Sequence, residues 1–212
     1  MNSALSVGAD GRARCWWPGS DEAYLAYHDH EWGRPVADDR RLFEKLCLEG
    51  FQSGLSWLTI LRKRENFRAA FRGFDIAAVA GFDADDMGRL LGDAGIVRHR
   101  GKIAAAVNNA ARALEVIEEA GSLAAYIWSW APAGAAPVPE SVEALPASTK
   151  ESAALARDLK HRGWSFVGPT TVYAFMQSMG LVNDHVAGCF ARAQCDSQRA
   201  AMAAPSRSPA PM

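Results

Sequence analysis

The sequence predicts an all-α fold, and three observations carry that prediction. Apolar residues recur at helical spacing along most of the chain. Ser and Asp residues stand before those runs, with glycines after them. No segment alternates with period two for long enough to claim a strand. At 212 residues the chain makes one domain, or one domain with two lobes, and can bury a core without disulfide staples.

Ser20 suits the N-cap of a first helix, with Asp21 and Glu22 in its first turn and Gly33 and Pro35 ending it. Asp39 opens a second, whose apolar face is Leu42, Phe43, Leu46 and Cys47 and which closes at Gly50. Ser53 or Ser56 caps a third that runs to Gly73, and Asp75 and Asp83 start two short helices. The alanine-rich stretch from Gly101 makes a long helix ending at Gly121. Ser148 and Glu151 form a capping-box pattern for a helix ending at Gly163, and a last helix spans Thr170–Met179. Residues 131–147, rich in Pro and Ala, form a loop that is either an internal boundary or an excursion within one domain. Residues 1–13 and 194–212 lack an apolar period and read as disordered ends around a folded body of 14–193.

Composition excludes several classes. Hydrophobic residues at 49% and charged residues at 22% are not those of a disordered chain. No run approaches the roughly 18 apolar residues of a membrane span, and the N-terminal stretch has no apolar signal-peptide core. Cys15, Cys47, Cys189 and Cys195 are too scattered for a disulfide framework. A cytoplasmic monomer with reduced thiols is expected. The net charge of −1 excludes a globally basic mode of nucleic-acid binding and leaves room for a local basic face.

Three constellations carry chemistry. Cys15 and His28 near one end, with His185 and Cys189 near the other, have the donor types of a tetrahedral zinc site. His185 and Cys189 are four residues apart and share a face if helical. His30 rivals His28, and ordinary core cysteines with surface histidines are the competing reading. Tyr24 and Tyr27 are neighbours on one helix face, close in sequence to Trp16, Trp17, Trp32 and Trp57. Glu49 ends an apolar helical stretch, where a buried carboxylate needs a cationic partner; a ligand can supply it, with cation–π attraction from the rings. A solvated Glu49 beside core aromatics is the plainer alternative. The third constellation, Lys160 to Met176, reads helix, glycine turn, helix. Its turn at Val167, Gly168 and Thr170 suits a phosphate, though an αα-hairpin with no ligand is also common. Basic clusters at 62–68 and 98–102 add charge for a local nucleic-acid surface.

These pieces coincide in one pattern. The runs are Arg14-Cys-Trp, YLAYHDHEWG (24–33), LFEKLCLEG (42–50), GLSWLTILRKREN (54–66), DAGIVRHRGK (93–102), RGWSFVGPTT (162–171) and GLVNDHV from Gly180 on to Cys189. Together they resemble the 3-methyladenine DNA glycosylase I family of the helix-hairpin-helix glycosylase superfamily. The resemblance implies a helical bundle with a structural zinc joining its N- and C-terminal segments through Cys15, His28, His185 and Cys189. It implies a base pocket of Glu49, Tyr24, Tyr27 and Trp57, with Glu49 the residue nearest to a catalytic role. It implies a hairpin at 166–171 on the DNA backbone and a small wedge at Gly54 and Leu55. Many enzymes of the superfamily carry a catalytic Asp in a Val-Asp-x-His run. Here Asn183 takes that position, and Asp184 lies one residue on, about 100° around a helix, so Asp184 is not assigned as the acid.

The expected activity is monofunctional hydrolysis of the N-glycosidic bond of 3-methyladenine in alkylated double-stranded DNA, releasing the free base for base excision repair. A cationic lesion gains from Glu49 and the aromatics, so a neutral base such as hypoxanthine is expected to be a poor substrate. No lysine stands out as a Schiff-base nucleophile. The competing classes are a non-catalytic, zinc-stabilised helix-hairpin-helix DNA-binding module, a zinc hydrolase, which lacks an open metal position and an H-E-x-x-H run, and a family member of drifted base preference.

Overall fold

The computed structural model describes residues 4–134, 137–203 and 205. Its elements run β1 (Leu5–Val7), β2 (Ala13–Cys15), α1 (Glu22–His30), α2 (Asp39–Gln52), α3 (Trp57–Arg62), α4 (Arg64–Ala70), a 3₁₀ turn at Arg72–Phe74, α5 (Ile76–Ala80), α6 (Ala84–Gly92), α7 (Arg100–Ala120), α8 (Leu123–Trp128), α9 (Lys150–His161), α10 (Pro169–Ser178) and α11 (Arg192–Ala201). The helical prediction is borne out. One hydrophobic core draws on α1 to α10, with α2 deeply buried along nearly its whole length. Among the described residues no helix is long and apolar enough to cross a membrane.

Side-chain caps set most helix starts, several of them one residue from where the pattern put them. Asp21, not Ser20, accepts from the Tyr24 amide to begin α1. Asp38, not Asp39, caps α2; the Asp39 carboxylate instead accepts from the Leu123 and Ala124 amides at 3.1 and 2.7 Å, so α2 caps α8 from outside. Ser56 caps α3, and Asp75 and Asp83 cap α5 and α6 as expected. The capping box of α9 is Thr149 with Ser152 rather than Ser148 with Glu151.

Other differences have tertiary causes. The expected helix to Gly73 breaks at Lys63, where no Gly or Pro gives warning. The Lys63 ammonium bonds the carbonyls of Ala94 and Gly95, and Arg64 forks onto Glu31 at 2.6 and 2.9 Å, so partners outside the helix hold the bend. Within residues 1–13, read as disordered, Leu5–Val7 pairs antiparallel with Ala13–Cys15, so two short strands stand where none was expected; residues 1–3 lie outside the described residues. Part of the tail read as disordered is α11, anchored by buried Cys195; residues 204 and 206–212 of that tail lie outside the described residues. Residues 183–189 are not helical. The Arg192 guanidinium takes the carbonyls of Asn183 and His185, which therefore make no helical bonds.

Residues 137–147 of the expected loop lie against the body: Pro139 accepts from the Ala187 amide at 2.8 Å, and Leu145 packs against the cluster of Cys15, Val186, Cys189 and Ala191. Where α10 ends, Gly180 holds φ at +74°, and a Cβ there would stand 2.5–2.7 Å from backbone atoms of Arg34 and Pro35. That close approach sets the α1–α2 connection against α10. Gly180→Ala is therefore expected to destabilise the fold by about 3 kcal/mol, read by urea denaturation; a loss under about 0.5 kcal/mol would show that the contact is not a constraint.

Candidate functional site

Aromatic rings from separate parts of the chain line an open cavity of about 270 Å³. Trp16 and Trp17 follow β2, Tyr24 and Tyr27 come from α1, Trp32 from the turn after it, and Trp57 begins α3. Ring centroids stand 4.9 Å apart for Trp17–Tyr24, 5.1 Å for Trp17–Trp32 and 5.3 Å for Tyr27–Trp57. Glu49 and Gln52 from α2 and Gln177 from α10 supply the polar groups, and Leu145 closes one side. Tyr24 is half-buried, while Tyr27 and Trp57 are buried. Burial, and then the Glu49 charge, push both tyrosine phenols up, so each remains a donor. The Trp57 indole N–H is buried with no hydrogen-bond partner among the described residues.

Glu49 is 5% exposed, not solvated at a helix end, and it already has a cation. The Lys45 ammonium, one turn back on α2, lies 2.7 Å from Glu49 Oε1. It also donates to the Tyr27 hydroxyl at 2.8 Å and sits 3.1 Å over the Trp57 ring. Burial pushes this ammonium down to about 8, against the pull of Glu49. Sequence reasoning missed Lys45. The signal was available: Lys45 and Glu49 are four apart on a helix whose neighbours are apolar.

Cys15, His28, His185 and Cys189 come together with their ligand atoms all within 4.8 Å, and all four are buried. His28, not the exposed His30, is the member from α1, and the histidines are interior, not surface, residues. Each ring has its outward nitrogen held: His28 Nδ1 by Asp29 at 2.8 Å and His185 Nε2 by the Trp32 carbonyl at 3.1 Å. A proton on each outward nitrogen leaves His28 Nε2 and His185 Nδ1 unprotonated, with their lone pairs facing the cysteine sulfurs at 3.4–3.6 Å. The cysteines interact with each other: the hydrogen bond from Cys15 outweighs burial and pushes the Cys189 thiol down, and Cys15 is pushed up. A metal binding between the two sulfurs would displace the remaining thiol proton to solvent. Asp29 is in turn gripped by Arg14 through bonds of 2.8–3.1 Å. The cluster backs the cavity, since Trp17 lies 5.2 Å from His28 and Trp32 lies 4.7 Å from His185.

The two turns singled out from the sequence share one brace. Gly54, at φ +79°, and exposed Leu55 occupy the turn between α2 and α3. The α9–α10 hairpin carries exposed Thr170 and Phe166; the Gly168 backbone begins α10, and the Val167 side chain is buried, leaving only its backbone for any ligand. Helix α7 holds both. Lys102 donates to the Phe51 and Ser53 carbonyls, Asn109 exchanges two 2.9 Å bonds with the Ser165 backbone, and Asn108 donates to Gly163 at 2.8 Å. Asn108 and Asn109 went unread, although adjacent asparagines inside an alanine-rich helix are a signal, and Lys102 was read only as part of a basic cluster. Most of the basic run at 62–68 is used in internal pairs with Asp21, Glu31, Glu44 and Glu65. Arg98 and Arg100 remain exposed. Asp184 does not sit on a helix, and its carboxylate accepts from Tyr173 and Gln177.

Residues 17–192 match the model of the methyladenine glycosylase family. The chain belongs to that family. It is 48% identical over 181 residues to DNA-3-methyladenine glycosylase 1 of Escherichia coli (strain K12), covering 83% of this chain and 95% of that one. A crystal structure of 3-methyladenine DNA glycosylase I superposes with a TM-score of 0.79 at 50% identity, over 84% of this chain and 98% of the other. A tyrosine-to-phenylalanine variant of such an enzyme, solved in complex with 3-methyladenine, superposes with a TM-score of 0.81 at 36% identity, over 84% and 97%. The match ends at 192, so α11 lies almost wholly outside the family region.

Asp29 carries the most direct stability test. Burial alone would raise its carboxyl, but the Arg14 and His28 hydrogen bonds outweigh burial and hold it below the usual range. Its contribution is thus fully present above about pH 4 and fades as pH falls through the folded-state value. Asp29→Ala leaves Arg14 with Asp10 alone and is expected to cost about 3 kcal/mol at neutral pH. Urea denaturation with a chelator present measures this, and an unchanged midpoint would refute it.

Proposed function

We propose that this protein is a monofunctional DNA glycosylase that flips 3-methyladenine out of alkylated duplex DNA and hydrolyses its N-glycosidic bond. The observation that carries the reading is the cavity: aromatic walls, a buried carboxylate, and a size suited to one purine. The relatives named for 3-methyladenine support it.

The base must leave the stack before its bond can be reached, at a cost of a few kcal/mol. Leu55 enters the gap as the wedge, while Gly168, Thr170 and the Val167 backbone hold phosphate oxygens at the start of α10. Helix α7, by bracing both turns, fixes the distance between wedge and phosphate grip. Tyr27 and Trp57 stack on the extruded base, Tyr24 lines its edge, and Glu49 accepts from the base and faces its charge. A base methylated at N3 is cationic and leaves readily, so Glu49 and the rings need only favour the charge as it moves from base to sugar. Lys45, which contacts the cavity walls from behind Trp57, is held in an ion pair, which supports hydrolysis without a Schiff base.

Methylated duplex DNA incubated with the protein is expected to release 3-methyladenine and little 7-methylguanine, measured by chromatography of free bases. Glu49→Gln is expected to lower the single-turnover rate by about 10²-fold. No release from folded protein, or a covalent adduct trapped by borohydride, would overturn the reading.

We further propose zinc as the metal. Two cysteines and two histidines suit it, and four protein ligands leave no exchangeable position, so its role is structural. Elemental analysis is expected to find one zinc per chain, lost in Cys189→Ser together with thermal stability; a metal-free wild type of equal stability would contradict this. A monomer working in the cytoplasm completes the proposal; four cysteines that form no disulfide support the reducing compartment.

A further inference from the structure

The family reading uses Glu49, the tyrosines and Trp57. It leaves unexplained a lysine buried against all but one of them. The Lys45 ammonium touches Glu49 Oε1 at 2.7 Å, the Tyr27 hydroxyl at 2.8 Å and the Trp57 face at 3.1 Å from the ring centroid. Its side chain is 6% exposed, and that of Glu49 is 5% exposed.

The consequence is electrostatic. A lone Glu49 would present a cationic base with a full negative charge in a site of low dielectric. Paired with Lys45, it presents an ion pair with no net charge. Trp57 is affected likewise, because its π density already faces one cation, and a cationic base on the ring competes for the same quadrupole. Lys45 thus draws on both features that distinguish a charged base from a neutral one. It also holds Glu49 as an acceptor, which a neutral purine can use through its amino group as well as a cationic one.

We infer that Lys45 is a positioning residue that sets the charge selectivity of the base pocket: an internal cation that lowers the preference for cationic over neutral purines. This rests on the cavity being the base site. It also moderates the expectation, drawn from Glu49 alone, that neutral bases are strongly rejected.

The surroundings make Lys45 the group that titrates. Facing it from α1 and the turn after it are Tyr27 and Glu31, from α2 Arg41, Glu44 and Glu49, and from α4 Arg64 and Arg68. Glu31 is paired with Arg64 and Glu44 with Arg68, and Tyr27 is pushed well above its ordinary range. Lys45 is held down to about 8. Raising pH through that value removes the internal cation that faces Glu49.

Calorimetric titration with two probes tests the inference: 3-methyladenine, neutral at alkaline pH, and 3,9-dimethyladeninium, a permanent cation. In the wild type the cation is expected to bind more tightly as pH rises from about 7 to about 9.5, by about tenfold, while the neutral base changes little. In Lys45→Met, of similar length without charge, the cation-to-neutral affinity ratio at neutral pH should rise by about tenfold, and the rise across that pH range should vanish. Binding of both probes with a flat wild-type profile, or with an unchanged ratio in Lys45→Met, overturns the role of Lys45 and leaves the base pocket standing. Binding of neither probe overturns the pocket and the inference together. The wild-type profile needs no variant, so the test survives a Lys45→Met protein that fails to fold.

Discussion

The cavity has walls from both ends of the chain, and one cluster holds those ends together. Cys15 and His28 meet His185 and Cys189, although Cys15 and His185 stand 170 positions apart in the sequence. Trp16 and Trp17 follow directly on Cys15, and Trp32 gives its carbonyl to His185. The aromatic walls are therefore placed by the cluster as much as by helix packing. Arg14 and Asp29 extend the constraint outward, fixing His28 through a buried ion pair. A metal in the cluster would convert this closure into four strong bonds, and the cavity would gain rigidity without any ligand being exposed to substrate.

A second constraint lies on α2. This helix is buried along most of its length yet carries Lys45 and Glu49. Either charge alone would be costly there. Together they satisfy each other, and Tyr27 and Trp57 satisfy what remains of the ammonium. Burying a pair gains little stability in itself. What it gives here is a carboxylate at a fixed place in an aromatic wall. Helix α7 plays the matching role for the exterior, where Lys102, Asn108 and Asn109 tie the two exposed turns to one rigid rod.

Much of this was legible in the sequence, for physical reasons that differ by residue. Helices with an apolar stripe and an aspartate or serine cap were readable because both signals are local; α5 and α6 begin where Asp75 and Asp83 say they should. The break at Lys63 was not readable, because its causes are contacts with residues 94, 95 and Glu31. Strands of three residues are too short to show a period, so β1 and β2 were missed. In the site, Cys15, His28, His185 and Cys189 had the right chemistry but no spacing to join them. The resemblance supplied the grouping that geometry then bore out. Glu49 was visible as a misplaced carboxylate. Its partner Lys45 was overlooked because a lysine on a helix is ordinarily read as solvated, although its i, i+4 spacing to Glu49 was there to see.

The central claim is that the aromatic cavity receives the damaged base. The indole N–H resonances of the protein test this directly, because the tryptophans divide into two groups. Trp16, Trp17, Trp32 and Trp57 line the cavity, while Trp128, Trp130 and Trp164 do not. Titration with free 3-methyladenine, followed by two-dimensional proton–nitrogen NMR and assigned by single Trp→Phe variants, should shift the cavity group saturably. The largest change is expected at Trp57, whose N–H is buried without a partner among the described residues. The other group should stay in place. Saturable shifts confined to Trp128, Trp130 and Trp164, or no shift at any indole, would contradict the account.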